Sequence, residues 1–191
     1  NAVNLVFYDN WDLDVEKAIS QAKENNISVL RLYLDWGWSK DEDFDRIIDI
    51  ASRNGIYLIL ALTDCCCSSD YNDLSKYFAV HAPFCNVTNS KSRNAFKKRI
   101  KQIIERKNTV NGRIYRAEPT ILAWELTNEL ECRHFTSNEV RSWMEDISEF
   151  VKSLDKNHLV TVGIMTSSDD FDHEGPAYDM FKIDGIDFFS F

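Results

Sequence analysis

The sequence predicts an α/β fold, a (β/α)8 barrel, from two observations. Strand-like and helix-like segments alternate at roughly one pair per 30 residues, which is the pattern of βα units around a parallel sheet. The strand-like segments are mostly continuous apolar runs, as expected for a sheet that helices cover. They lie at residues 3–7, 29–34, 57–62, 121–126, 159–163 and 186–191.

Glycine usage separates the barrel from a doubly wound sheet, which shows the same alternation. A nucleotide-binding doubly wound sheet carries a glycine-rich turn after its first strand. The chain has six glycines and no GxGxxG or GxxxxGK pattern, which favours the barrel. A closed barrel needs eight strands and usually about 250 residues. We therefore expect residues 1–191 to form one barrel domain of the TIM type that is incomplete at its C-terminus, with about six of its strands present.

The segments between the strands have the periodicity of amphipathic helices. One clear apolar stripe, at i, i+3, i+4 and i+7, is formed by Phe44, Ile47, Ile48 and Ala51. Ser39 with Glu42, and Thr136 with Glu139, have the spacing of capping boxes and predict helix starts. Gly55 is expected to end a helix just before the third strand.

Charge and hydropathy exclude two classes of partner. The formal net charge is -9, whereas nucleic-acid binding relies on clustered lysine and arginine, so we expect no nucleic acid partner. No apolar run approaches the roughly 18 to 20 residues of a membrane-spanning helix, so we expect no membrane partner. The first residues show no basic and apolar segments of a signal peptide, which leaves open a signal peptide upstream of residue 1. Neutral polymers such as polysaccharides remain as partners.

Cysteine spacing and two short motifs bear on cofactors and location. The five cysteines are Cys65, Cys66, Cys67, Cys85 and Cys132. They show no CxxC or zinc-ribbon pattern, so we expect no metal site and no cofactor. One of the first three can pair with Cys85, which leaves the remaining pairing open. The sequons "NIS" at Asn26 and "NVT" at Asn86 are glycosylated only in secreted proteins, and together these features predict an extracellular protein.

The stretch "AEPTILAWELTNELECR", residues 117–133, carries the chemistry. Its apolar run holds Glu125, and a buried ionised carboxylate is costly unless it is paired. Asn128 and Glu129 follow the run, at the strand end where barrel active sites form. Because consecutive strand residues point to opposite sides, both can face one pocket only if the strand ends or bulges there. A carboxyl group beside an amide suits glycoside hydrolysis.

The segment "PTILAWELTNE" closely resembles the fourth-strand motif of the clan A retaining glycoside hydrolases, within them family five, and especially its endo-β-1,4-mannanases. Three further segments are similar to the family in the same order: "VLRLYLDWGW" to its second strand, "ERKNTVNGRIY" to the segment before strand four, and "DKNHLVTVG" to its fifth strand. The resemblance covers most of the chain and implies a TIM-type barrel.

The resemblance also implies roles for individual residues. Glu129 would be the general acid/base, Asn128 would bind the 2-hydroxyl of the sugar, and Arg31 would orient the nucleophile. Trp124 and Glu125 would be structural, in agreement with their place inside the strand. The competing interpretations are a solvated loop carboxylate for Glu129 and an ion pair at the barrel rim for Arg31.

Two further residues are candidates for binding sugar because of their position. Trp36 and Trp38 lie just beyond strand two and are predicted to form a sugar-binding platform.

The sequence departs from the family pattern in two places. The family's Asn-Glu-Pro-Arg is replaced by "NELE", and its Asn-Asn-Trp segment after strand three by "TDCCCSSDYNDL". The family nucleophile, a glutamate at the end of strand seven, is expected beyond Phe191.

Together these observations predict hydrolysis of internal β-1,4-glycosidic bonds in a polysaccharide, by a retaining double displacement, with β-mannan as substrate. Two alternatives remain open. One is a non-catalytic or truncated carbohydrate-binding barrel that lacks the nucleophile, because a fold does not guarantee activity. The other is a clan A β-glucanase or cellulase. If the chain ends at residue 191, we expect it to be inactive and prone to aggregate through unpaired strand edges.

Overall fold

Six parallel strands form one sheet in the computed structural model, which describes residues 2–4, 15–34, 41–64, 86–130, 135–164 and 182–190. The strands are β1 (Ala2–Asn4), β2 (Val29–Tyr33), β3 (Tyr57–Ala61), β4 (Ile121–Glu125), β5 (Leu159–Gly163) and β6 (Phe188–Ser190). Their order in the sheet is their order in the chain, and every neighbouring pair is parallel. This is the strand order of a (β/α)8 barrel, as the sequence predicted.

Helices occupy the connections that the structure describes. They are α1 (Val15–Glu24), α2 (Asp41–Asn54), α3 (Ser90–Ile104) and α4 (Ser137–Leu154), with a 3-10 turn at Tyr115–Ala117. Thr136 and Glu139 form the predicted capping box at the start of α4, and Gly55, at φ +69°, follows the end of α2. The predicted box at Ser39 lies outside the described residues, although α2 begins close to it.

Three strands end one residue earlier than predicted. Leu34, Leu62 and Leu126 follow β2, β3 and β4, are buried, and still donate their N–H groups to the next strand along the sheet. Hydropathy cannot separate such residues from the strand itself. The sixth strand was predicted two residues too early, because Ile186 donates its N–H to Ile183 within a turn. Residues 5–7 and 191 of the predicted strands lie outside the described residues.

The main core lies between the sheet and the helices. Alternate residues of the strands pack against the apolar stripes of α1, α2, α3 and α4. The strand side of this core contains Leu30, Leu32, Leu58, Leu60, Trp124, Val160 and Val162, all at most 1% exposed. Burying one such aliphatic side chain stabilises the fold by about 1.5–3 kcal/mol. The other alternate residues of the strands face the barrel interior, where the polar cluster described below lies.

A buried carboxylate fastens the segment before β4 to α2. Asp45 is fully buried and accepts hydrogen bonds from Arg106 Nε (3.0 Å) and Nη2 (2.6 Å), Thr109 N and Oγ1 (3.1 and 2.8 Å) and Tyr115 Oη (2.7 Å). Asn108 Nδ2 donates to the backbone oxygen of Asp45 at 2.9 Å. Burial alone would raise the pKa of Asp45, but these hydrogen bonds hold it below its usual range. The "RKNTVNGRIY" segment therefore serves the fold, at the end of the barrel associated with stability.

A second buried carboxylate joins β4 to the start of β5. Asp155 Oδ2 accepts a hydrogen bond from Trp124 Nε1 (2.7 Å) and lies 2.6 Å from His158 Nδ1. The other ring nitrogen of His158 lies 3.0 Å from the backbone oxygen of Glu118. These contacts hold His158 in place at the start of β5.

Candidate active site

Side chains from alternate strands meet across the inner face of the sheet. Arg31 of β2 pairs with Glu125 of β4, and Ser190 Oγ of β6 lies 3.4 Å from Glu125 Oε1. The strands between them contribute two small residues: Ala61 of β3 pairs with Glu125 in the register, and Gly163 of β5 lies against the Glu125 carboxylate. Small residues on odd strands leave room for large residues from even strands to touch. This is the layered packing of a barrel interior, in which one layer draws on every second strand.

Gly163 is required by the space that the ion pair occupies. A Cβ at this position would overlap Glu125 Oε1 and would lie 3.0 Å from Thr127 O and 3.2 Å from Arg31 Nη2. We expect Gly163→Ala to lower the free energy of unfolding by about 1–3 kcal/mol, the usual cost of overpacking. Urea denaturation of Gly163→Ala and the wild type measures this decrease. Gly55→Asn is the control, since an added Cβ there meets nothing within 4 Å and asparagine tolerates the left-handed turn. Equal midpoints for Gly163→Ala and the wild type would show that the pair can move aside.

Arg31 is the centre of the polar cluster. Its guanidinium donates through Nε and Nη2 to the two oxygens of Glu125, through Nη1 to Tyr33 Oη at 2.6 Å, and through Nη2 to Asn128 Oδ1 at 2.8 Å. Burial raises the pKa of Glu125 and also that of Tyr33, so the phenol keeps its proton. Burial alone would lower the pKa of Arg31, but the hydrogen bonds and charge of Glu125, together with Tyr33, outweigh burial and raise that pKa. The ion pair with Arg31 offsets the free-energy cost of burying the Glu125 carboxylate inside the apolar strand.

Asn128 is bound on both sides of its amide. Its oxygen accepts from Arg31 and, at 3.3 Å, from the hydroxyl of Tyr33, while Nδ2 donates to Asp64 Oδ1 at 2.8 Å. The backbone N–H of Asn128 donates to Thr63 O at 2.9 Å, which extends the pairing of β3 and β4 past the strand ends. Asn128 is 7% exposed. Its side chain is therefore held at the carboxyl edge of the sheet.

Glu129 has a strained backbone. Its φ of +42° lies in the left-handed region, which is uncommon for any residue except glycine and costs about 1–2 kcal/mol. Asn128 pairs towards β3, whereas Leu130 donates its N–H to Gly163 O in the direction of β5, so the chain changes course at Glu129. Such strain persists where the surroundings enforce it, and it concentrates at functional sites. The irregularity that the sequence required after β4 is present.

The structure brings two of the five predicted site residues into contact, since Arg31 donates a hydrogen bond to Asn128. Glu129 follows Asn128 in the chain, half-buried and without a side-chain hydrogen bond or ion pair to any described residue. Trp36 and Trp38 lie outside the described residues. Sequence reasoning assigned no role to Tyr33 or Asp64, although both stand at strand ends, where position alone could have identified them.

The described residues give no sign of a metal site or of a membrane span. No group of three or more histidine, cysteine or acidic side chains in the described ranges could hold a metal ion. Within the same ranges, no helix is long and apolar enough to cross a membrane.

Comparison with known proteins gives consistent similarities. Mannan endo-1,4-beta-mannosidase 1 of Arabidopsis thaliana is 32% identical over an alignment covering 78% of this chain and 40% of that protein. Mannan endo-1,4-beta-mannosidase 1 of Oryza sativa is 44% identical over 40% of the chain and 18% of its own length. The crystal structure of an endo-1,4-beta-mannanase from Rhizomucor miehei superposes over the whole chain and 66% of its own, with a TM-score of 0.77 and 25% identity.

The chain thus spans less than half of the curated plant relatives that it matches. The structural likeness shows that its six strands belong to a (β/α)8 barrel of the TIM type. A family model described as GH family 5 beta-mannosidase-like matches residues 8–189, which is nearly the entire chain. The chain therefore belongs to glycoside hydrolase family 5, among its beta-mannosidase-like members.

Proposed function

We propose that the protein is a retaining glycoside hydrolase that cleaves internal β-1,4 bonds of a polysaccharide, with β-mannan as its substrate. The observation that carries the proposal is Glu129, a half-buried residue with a strained backbone at the carboxyl edge of β4. It follows Asn128, whose amide is fixed by Arg31 and Asp64. An enzyme of this class needs a carboxyl group able to exchange a proton with the substrate, next to a group that binds the sugar.

Glu129 would act twice in the reaction. In the first step it gives its proton to the leaving oxygen while a second carboxylate bonds to the anomeric carbon. In the second step it takes a proton from the water that displaces that carboxylate. The second carboxylate would be a glutamate about 5 to 5.5 Å from Glu129, the separation of a retaining pair. Asn128 would bind the 2-hydroxyl of the sugar, and Arg31 would orient the nucleophile.

The substrate is proposed from the names of the relatives. The two plant relatives are mannan endo-1,4-beta-mannosidases, and the similar crystal structure is of an endo-1,4-beta-mannanase. The family model is described only as beta-mannosidase-like, which leaves a mannosidase that acts on chain ends as the second candidate. Trp36 and Trp38 are proposed as sugar-binding residues from their place after β2 in the sequence.

The full-length protein should release reducing sugar from mannan and glucomannan and much less from cellulose. An enzyme that cuts internal bonds lowers the viscosity of the polymer long before the reducing sugar is all released, and it gives oligosaccharides of several lengths. Release of mannose alone would favour the mannosidase that acts on chain ends. Faster release from cellulose would overturn the mannan assignment, and binding to mannan without any hydrolysis would support the carbohydrate-binding barrel.

We propose further that the protein acts outside the cell and that residues 1–191 belong to one domain. The first sequon supports export, since Asn26 is exposed in the turn between α1 and β2, and its partner Ser28 is exposed as well. A single core under one continuous sheet supports one domain. Protein secreted by a eukaryotic host should lose mass on treatment with a peptide N-glycosidase. Retention inside that host would contradict the proposed location.

A further inference from the structure

Asp64 stands beside Asn128 at the carboxyl ends of two neighbouring strands. The residues pair across the sheet beyond the ends of β3 and β4, and Asn128 Nδ2 donates to Asp64 Oδ1 at 2.8 Å. Asp64 also lies close enough to Tyr33 and Glu125 to raise the pKa of each, in addition to the larger effect of burial. It is thus a second carboxylate in the cluster around Arg31.

Asp64 and Arg31 together decide which way the amide of Asn128 points. A guanidinium can only donate hydrogen bonds, and an ionised carboxylate can only accept them. The guanidinium therefore selects the amide oxygen, at 2.8 Å, and the carboxylate selects the amide nitrogen, also at 2.8 Å. Turning the amide over would place a donor against a donor and an acceptor against an acceptor.

We propose that Asp64 is a positioning residue that holds the amide of Asn128 in the orientation needed to bind a sugar hydroxyl. The amide nitrogen carries two hydrogens. One is used by Asp64, which leaves the other for the 2-hydroxyl of the sugar. This inference rests on the proposed function, and it adds a residue to which the family motif in this chain assigns no role.

The first test compares Asp64→Ala with Asp64→Asn in the full-length protein. Asp64→Ala should lower kcat/KM on an aryl β-manno-oligosaccharide about 10-fold to 100-fold, which corresponds to one charge-assisted hydrogen bond. On the same compound lacking the 2-hydroxyl at the cleaved sugar, the loss should be less than about 3-fold, because the oriented hydrogen has no partner. Asp64→Asn keeps an acceptor oxygen and should recover most of the activity. The Asp64→Ala and Asn128→Ala losses should not add when the variants are combined.

The second test does not depend on activity. The two side-chain N–H signals of Asn128 in a ¹⁵N–¹H spectrum should move in Asp64→Ala, and their exchange with solvent should quicken. Glu105→Gln is the matched control, because it removes an exposed carboxylate at the opposite end of the barrel. Unchanged Asn128 signals in Asp64→Ala, or equal losses on both substrates, would overturn the role of Asp64. A wild-type protein that hydrolyses no mannan would overturn the proposed function, whereas the spectra would still decide the role of Asp64.

Discussion

Glu129→Gln is expected to lower the turnover of mannan by the full-length protein about 100-fold to 10,000-fold, the usual contribution of a positioned acid/base. Glutamine has nearly the size of glutamate but cannot give a proton to the leaving oxygen. The leaving group of a polysaccharide is a sugar hydroxyl, which departs poorly without that proton. Initial rates of reducing-sugar release from mannan measure the loss.

Two further measurements make this prediction specific to an acid/base. On an aryl glycoside with an acidic phenol as leaving group, the first step needs little help and the second becomes slow. Added azide should then accelerate Glu129→Gln, because the anion attacks the sugar without a general base. Glu105→Gln, which removes an exposed carboxylate far from the site, should keep its activity. A Glu129→Gln variant that hydrolyses mannan as fast as the wild type would remove Glu129 from the mechanism.

Asp45→Asn is expected to cost about 3–5 kcal/mol of the free energy of unfolding, as when one partner is removed from a buried ion pair. The carboxylate of Asp45 accepts from Arg106, Thr109 and Tyr115. An amide at this position offers one acceptor atom and turns its N–H₂ group towards these donors. Urea denaturation monitored by tryptophan fluorescence measures the change.

Acidification should reduce the difference in the free energy of unfolding between the wild type and Asp45→Asn. The folded pKa of Asp45 is lowered, so its contribution is present above the unfolded pKa of about 3.9 and is lost as pH falls through the folded value. Glu42→Gln is the matched control, since Glu42 is 64% exposed and lies 3.6 Å from the same Arg106. Glu42→Gln should lower the free energy of unfolding by less than about 1 kcal/mol, as for surface ion pairs. Equal costs for both variants would contradict the structural role assigned to the buried network.

The sequence predicted the strands and one helix cap, but it did not predict the buried polar clusters. The apolar runs located the six strands that the described residues form, because a parallel sheet covered by helices leaves a nearly continuous apolar signal. Strand ends were displaced by a residue or two, since burial extends beyond the hydrogen-bonded ladder. The capping box at Thr136 was readable because it is a local interaction between residues three apart. The polar clusters were not, because their members are up to 97 residues apart in the chain.

The sequence by itself determined the barrel, the strand that Glu129 follows, and the family, because periodicity and motifs are local properties of the chain. Only the tertiary structure decided what Glu125, Asp45 and Asp64 do. Each is a carboxylate whose partners come from other elements, so its burial, its charge balance and its hydrogen bonds exist only after the strands are assembled. The apolar run that contains Glu125 is tolerated because folding places Arg31 opposite it, above two small residues of the neighbouring strands.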